Sequence, residues 1–161
     1  MSVWGIVRNL KFRELSTLSL IFLKNPRYFI PTLKATLETI KVCDFKFGDQ
    51  HHFDNPTNAF RHAYWNYDIC VKCIQVSGTA KEVAAWAKKI TDLHEDLSPN
   101  DALAREMDLH NNKIGREIFL NNLEGISEPV KFFKKLLAVA IRVETVEEIK
   151  SAGSQLVYIE N

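Results

Sequence analysis

Apolar residues recur along most of the chain at intervals of three and four, the spacing that lines side chains along one face of a helix turning about 100° per residue. Residues 12–24 read as a short apolar helix stopped by Asn25-Pro26, because the residue before a proline disfavours helical geometry. Residues 28–47 predict a second, with Ile30, Leu33, Leu37, Ile40 and Phe47 or Val42 in register and Gly48 ending it. A polar loop, Asp49 to Pro56, follows. The third helix opens near Pro56 to Asn58, with Asn55 or Thr57 as cap, and runs to Ser77-Gly78. Thr79-Ala80-Lys81-Glu82 has the form of a capping box, which starts a fourth helix over about 80–96. Ser98-Pro99-Asn100-Asp101 places a proline in the first turn of a fifth, running to about 121. Ser127-Glu128-Pro129 opens a sixth, carrying Phe132, Phe133, Leu136, Leu137 and Ala140.

Past Arg142 the pattern weakens. Glu144 to Lys150 reads as continued helix, Gly153 breaks it, and Leu156 to Ile159 is a terminal strand or a docked tail. With no hairpin signal and short loops between helical segments, the fold class is all-α, a single compact bundle of five or six helices with a short C-terminal extended tail. Within one domain spanning 1–161, an N-terminal helical part covers 1–48, a motif-bearing core 56–121, and the C-terminal helix and tail 127–161.

Composition agrees with one globular domain. The chain has 161 residues, 46% of them hydrophobic and 25% charged, enough to bury a single core. A formal charge of +1 gives no global case for nucleic-acid binding. The charge is unevenly spread, however: residues 1–34 hold Arg8, Lys11, Arg13, Lys24, Arg27 and Lys34 against Glu14 alone, so this part carries +5 and the rest −4. Such a basic, aromatic N-terminal part suits a membrane surface or a protein partner, and equally a solvated face of core helices. The apolar run Leu15 to Leu23 has about half the length needed to cross a bilayer. No secretory signal peptide is evident, so the expected place of action is the cytoplasm, with export by a signal-independent route also compatible. Three cysteines, Cys43, Cys70 and Cys73, cannot pair completely within one chain. Cys70 and Cys73 have redox-motif spacing, but inside a helical pattern they read as small apolar residues.

The candidate chemistry lies on the third, fourth and fifth helices. On the fifth, Leu103, Met107, Ile114 and Ile118 define the apolar stripe, His110 and Asn111 fall inside it, and Asp108 and Gly115 run along its edge. On the fourth, His94 continues the line of Val83, Ala87, Ile90 and Leu97. On the third, His62 lies in line with Trp65, Ile69 and Cys73. Three consecutive helices are thus expected to point one histidine each inward. An unsatisfied buried polar group costs roughly 1 to 3 kcal/mol, so these groups need partners, and one another are the nearest available. Any one such histidine alone is ordinarily a satisfied core residue; three of them beside Asp92, Glu95, Asp96 and Asp108 suggest a shared site.

Two chemistries fit these residues. Neutral imidazoles of His62, His94 and His110 with a carboxylate from Asp92, Glu95 or Asp108 would hold zinc or a similar divalent metal. Without metal, a histidine tuned by a carboxylate would act as general base while Arg61, Asn111 and Asn112 stabilise developing negative charge. His51-His52 either joins such a site from above or is a solvated loop pair. Gly115 reads as a point of close helix approach, and Arg116 as a partner for the acids or for an anionic substrate.

The blocks Asn58-Ala59-Phe60-Arg61-His62-Ala63-Tyr64-Trp65-Asn66, Asp92-Leu93-His94-Glu95 and Met107-Asp108-Leu109-His110-Asn111-Asn112-Lys113-Ile114-Gly115-Arg116 resemble a family of bacterial domains of unknown function, matched in all three. The resemblance implies a small domain of a kind found both standing alone and at the C-terminus of large, toxin-like secreted proteins. His94-Glu95 is also loosely similar to the metal-binding His-Asp pair of helical phosphohydrolases, with glutamate in place of aspartate. Two functions are therefore expected. One is a hydrolase, metal-assisted and acting on a phosphoester, centred on His62, His94 and His110 with Glu95 or Asp108 as base or ligand. The other is a non-enzymatic interaction module whose buried polar network is structural.

Overall fold

The computed structural model describes residues 20–97 and 101–160. Helical residues 20–24 end at Asn25, a 3-10 turn spans Pro26–Tyr28, and the first full helix, α1, covers Phe29–Phe47. The expected helix over 12–24 falls mostly outside the described residues, as do Arg8, Lys11 and Arg13. A second 3-10 turn, Gly48–His52, leads to α2 (Pro56–Ile74), α3 (Ala80–Leu97), α4 (Ala102–Asn121) and α5 (Pro129–Leu137). The chain closes with β1 (Ile141–Arg142), α6 (Val146–Ser151) and β2 (Val157–Tyr158). The molecule is an all-α bundle with a short extended tail. No described helix is long and apolar enough to cross a membrane.

Local chemistry sets most helix starts. Asn55 caps α2 by accepting from the amides of Thr57 at 2.9 Å and Asn58 at 3.3 Å, with Pro56 in the first turn. The Thr79/Glu82 capping box forms in both directions, at 2.7 and 3.3 Å. The start of α4 differs from expectation. Asp101 is its cap, accepting from Ala104 N at 2.8 Å, so the helix begins at Ala102; Ser98, Pro99 and Asn100 lie outside the described residues.

Helix α2 is the central element, packed by α1, α3, α4 and α5. Its apolar residues Phe60, Tyr64, Tyr67 and Ile69 share the main core with Tyr28, Trp86 and Phe133. The cysteines belong to this core as free thiols, and burial pushes Cys70 up to about 12 and Cys73 up to about 11. Gly115 of α4 meets the backbone of α2 directly: a Cβ there would lie 2.0 Å from the carbonyl oxygen of Ala63. The two helices therefore approach as closely as only glycine permits.

A second, smaller core joins Ala104 and Met107 of α4 to Val143, Ile149, Ala152, Val157 and Ile159. The helix expected over Glu144 to Lys150 is present as α6, set apart from α5 by β1 rather than continuing it, and the expected terminal strand is β2. Thr145 caps that helix through Glu148 N at 3.2 Å, and β2 returns parallel to β1, pairing Ile141 with Val157 and Arg142 with Tyr158. A parallel pair needs such a crossover, which the six-residue α6 supplies.

Candidate functional site

Three polar rows meet where α2, α3 and α4 face one another. Each row follows the four-residue spacing that stacks side chains along a helix. Helix α2 contributes Asn58, His62 and Asn66, α3 contributes Thr91 and Glu95, and α4 contributes Asp108, Asn112 and Arg116; all eight are buried. Their contacts divide into layers.

In the deepest layer Asn66 Oδ1 accepts from Arg116 at 2.7 Å and from Thr91 Oγ1 at 3.2 Å. Asn66 Nδ2 donates to Asn112 Oδ1 at 2.6 Å, linking this layer to the next. Asn112 then donates through Nδ2 to Glu95 Oε1 at 2.9 Å. These two bonds fix the Asn112 amide with its oxygen toward His62 Nδ1, 3.2 Å away. With Glu95 Oε1 also 3.5 Å from that nitrogen, Nδ1 faces acceptors and carries the ring proton.

The opposite nitrogen, Nε2, has mixed company. Arg61 Nη2 lies 2.9 Å from it and Asp108 Oδ1 3.2 Å from it. The amide orientation that satisfies both ends of Asn58 has its nitrogen donating to Asp108 Oδ1 at 3.1 Å and His62 Nε2 at 3.2 Å, and its oxygen accepting from Arg61 at 3.1 Å. In the neutral ring the Nε2 lone pair accepts from Arg61 and Asn58, and the same Asn58 amide nitrogen bridges it to the Asp108 oxygen alongside. Glu95 Oε2, meanwhile, is buried with no hydrogen-bond partner among the described residues. One donor atom each from His62, Glu95 and Asp108 lie within 4.8 Å of one another, a set able to hold a divalent metal.

The two carboxylates are pushed apart in acidity. Burial alone would raise Glu95, but hydrogen bonding and charge from His62, with help from His94 and Asn112, bring it down to about 2. Burial raises Asp108 to about 6, the nearby Glu95 adding to the rise and His62 and Arg61 opposing it. The surroundings thus favour the ionised form of Glu95 and oppose ionisation of Asp108. Burial also lowers Arg61, against the pull of Asp108 and Glu95, and it remains a cation.

The sequence profile described as Domain of unknown function (DUF6973) matches residues 19–144, which include every residue of the three rows. The chain belongs to the DUF6973 family. No curated protein and no solved structure matches it.

Within this DUF6973 domain the structure brings together only part of the expected set. His62, Glu95, Asp108 and Asn112 meet in the interior, with Arg61 against them. His94 lies beside the cluster on the solvent side of α3: its ring centre is 6.5 Å from that of His62 and 5.4 Å from that of Trp65, and it is exposed. Desolvation by the surrounding walls lowers its pKa, although Glu95 opposes this. His110 does not join the other two histidines. It points from the flank of α4 to the carbonyl oxygen of Gln155, 2.9 Å from Nε2. Asn111 faces away from the site as well, donating to Val157 O at 2.8 Å and accepting from Val157 N at 3.0 Å. Asp92 is half-buried and paired with Lys88.

The reading of inward histidines is thus corrected on α3 and α4. The inward residue of α3 is Glu95, next to His94, and the polar centre of α4 is the Asp108/Asn112 edge rather than His110. The apolar stripe misleads because α4 is buried on two sides. Asn58, Asn66 and Thr91 lie outside the expected set, although their four-residue offsets from His62 and Glu95 are visible in the sequence. His51 is not solvated: it is fully buried and its Nε2 lies 2.8 Å from Asp44 Oδ1.

Proposed function

We propose that this DUF6973 domain is a metal-assisted hydrolase centred on His62, Glu95 and Asp108, acting on a phosphoester-containing substrate. The observation that carries the proposal is the convergence of one imidazole and two carboxylates from three helices, with one Glu95 oxygen left unpaired among the described residues of the interior. Buried carboxylate oxygens without a partner are expensive, and a divalent ion such as zinc offsets that cost. Bound by these three residues, such an ion supplies an activated water near neutral pH.

The remaining roles fall to the chain itself. Asn112 accepts from His62 Nδ1 and so turns Nε2 toward Asp108, where an ion would take the place of the Arg61 and Asn58 donors. Asp108 is the group suited to accept or return a proton at Oδ1. Arg61 and Asn58 lie against the same cluster, and the Arg61 cation suits an anionic group, which favours a phosphoester over a neutral ester. His94 is the exposed imidazole nearest to His62 among the described residues. The toxin-like context implied by the motif resemblance accords with a hydrolytic activity.

A specific observation favours the alternative, an interaction module. Leu20, Leu23, Phe29 and Ile30 are exposed beside the equally exposed Lys24, Arg27 and Lys34, an apolar and basic surface suited to a membrane or a protein partner. Under that reading the three rows only fix helix register. Elemental analysis and turnover of an activated phosphodiester by the purified chain separate the two. The hydrolase reading expects bound divalent metal, activity lost in chelator, and a folded His62→Ala variant that lacks both one metal equivalent per chain and the activity. Metal-free protein whose properties are unchanged by chelator would sink the metal centre, and a His62→Ala variant that only melts earlier would support the network.

A further inference from the structure

We propose that Asp44, His51 and His52 form a second divalent-cation site, independent of the one centred on His62. Its construction starts at the end of α1, where Gly48 adopts φ +56° and turns the chain back so that the Gly48–His52 turn lies over Asp44. A side chain at position 48 would be strained in that conformation. One donor atom from each of the three residues lies within 4.8 Å of the others. The two imidazole rings pack 4.0 Å apart at their centres, inclined by 40°.

Several features suit this cluster to a cation rather than to plain hydrogen bonding. His51 is fully buried, so its ring is held in place before anything binds, and its Nδ1 has no partner among the described residues. Asp44 is 43% exposed at its side chain and His52 is exposed, which leaves a route from solvent. The mixed nitrogen and carboxylate donor set suits zinc, cobalt or a similar borderline ion. One term opposes binding: Arg61 Nη1 lies 3.5 Å from His52 Nδ1 and brings a positive charge close. Asp44 offsets it, and the charge of Asp49 acts on His52 in the same sense.

Arg61 therefore touches both clusters, His52 through Nη1 and His62 through Nη2. The test must separate them. Full-length protein carrying His62→Ala and Asp108→Asn, stripped with chelator, is titrated with cobalt(II) and read by equilibrium dialysis and visible absorption. The expected result is one cobalt per chain with an imidazole-ligand spectrum, its affinity falling about tenfold or more when His52→Ala or Asp44→Asn is added. Both of these residues are solvent-exposed, and thermal melting checks that each variant folds. No cobalt bound in the His62→Ala, Asp108→Asn protein overturns the proposal, as does unchanged affinity in either added variant. Native-sequence protein that binds one cobalt rather than two, and loses it with His52→Ala, would instead remove the His62 centre and leave this second site standing.

Discussion

On the side of α4 that faces α2 and α3, Asp108 and Asn112 meet His62 and Glu95, and the resulting cluster retains, among the described residues, an unpaired carboxylate oxygen on Glu95. On the side that faces the C-terminal segment, Asn111 gives both ends of its amide to the backbone of Val157 and His110 meets Gln155 O. The same ten-residue block supplies both. Saturated bonding on the second side fixes a chain segment in place, and incomplete bonding on the first leaves capacity for chemistry. Residue type alone does not separate these uses, since Asn111 and Asn112 are neighbours with opposite assignments.

The largest disturbance comes from the first side. Gly115→Ala forces a Cβ into the Ala63 backbone, and since neither helix has a flexible atom to yield, a loss of about 4 kcal/mol or more is expected in denaturant unfolding, up to failure to fold. Next is Asn111→Ala, which strips Val157 of two buried hydrogen bonds. About 2 to 4 kcal/mol should be lost, while metal content of the folded fraction stays unchanged. Loss of metal in that variant would erase the contrast between the two sides.

Asp108→Asn should act in the opposite direction. Burial holds the Asp108 carboxyl at about 6 against an ordinary 3.8, so the folded state takes up its proton more readily than the unfolded chain. In chelator-treated protein, stability from this group therefore rises as pH falls from 7 through 6 toward 4, and is lost as pH rises through the same window. The amide substitution removes that slope and gains on the order of 1 to 3 kcal/mol at pH 7, at the expense of metal binding and turnover. Glu95 acts with the reverse sign: lowered to about 2 from 4.5, it contributes stability above pH 4.5 that disappears as pH drops toward 2. Melting temperature against pH for the native protein and the Asp108→Asn variant reads both effects. The smallest change is expected for His110→Ala, roughly 0.5 to 1 kcal/mol from one bond at a partly exposed site, with metal content and activity retained.

Much of the scaffold is legible because it is written in local chemistry. Asn55, the Thr79/Glu82 box and Gly48 mark their helix ends in the sequence as they do in space, and Gly115 sits at the close crossing that its cost in a helix implies. The site is only half legible. Apolar periodicity assumes one buried face per helix, and α4 has two, so its leucine-defined stripe runs between them and selects His110 and Asn111. On α3, exposed His94 and buried Glu95 are adjacent, and a shift of one residue, about 100° of rotation, exchanges their roles. The polar rows at four-residue spacing are the better signal, because residues so spaced stack along one helix face. Nothing local announces the parallel pairing of β1 with β2, which depends on contacts with α4 far away in sequence.

The span matched by the DUF6973 profile ends at residue 144, between the two partners of that pairing. A polypeptide trimmed to the profile would keep β1 as a raw edge, strip the oily flank of Met107 and Ala104, and leave Asn111 holding nothing. Stickiness in such a fragment would report on the cut, and the residues beyond 144 belong in any expressed version of this domain.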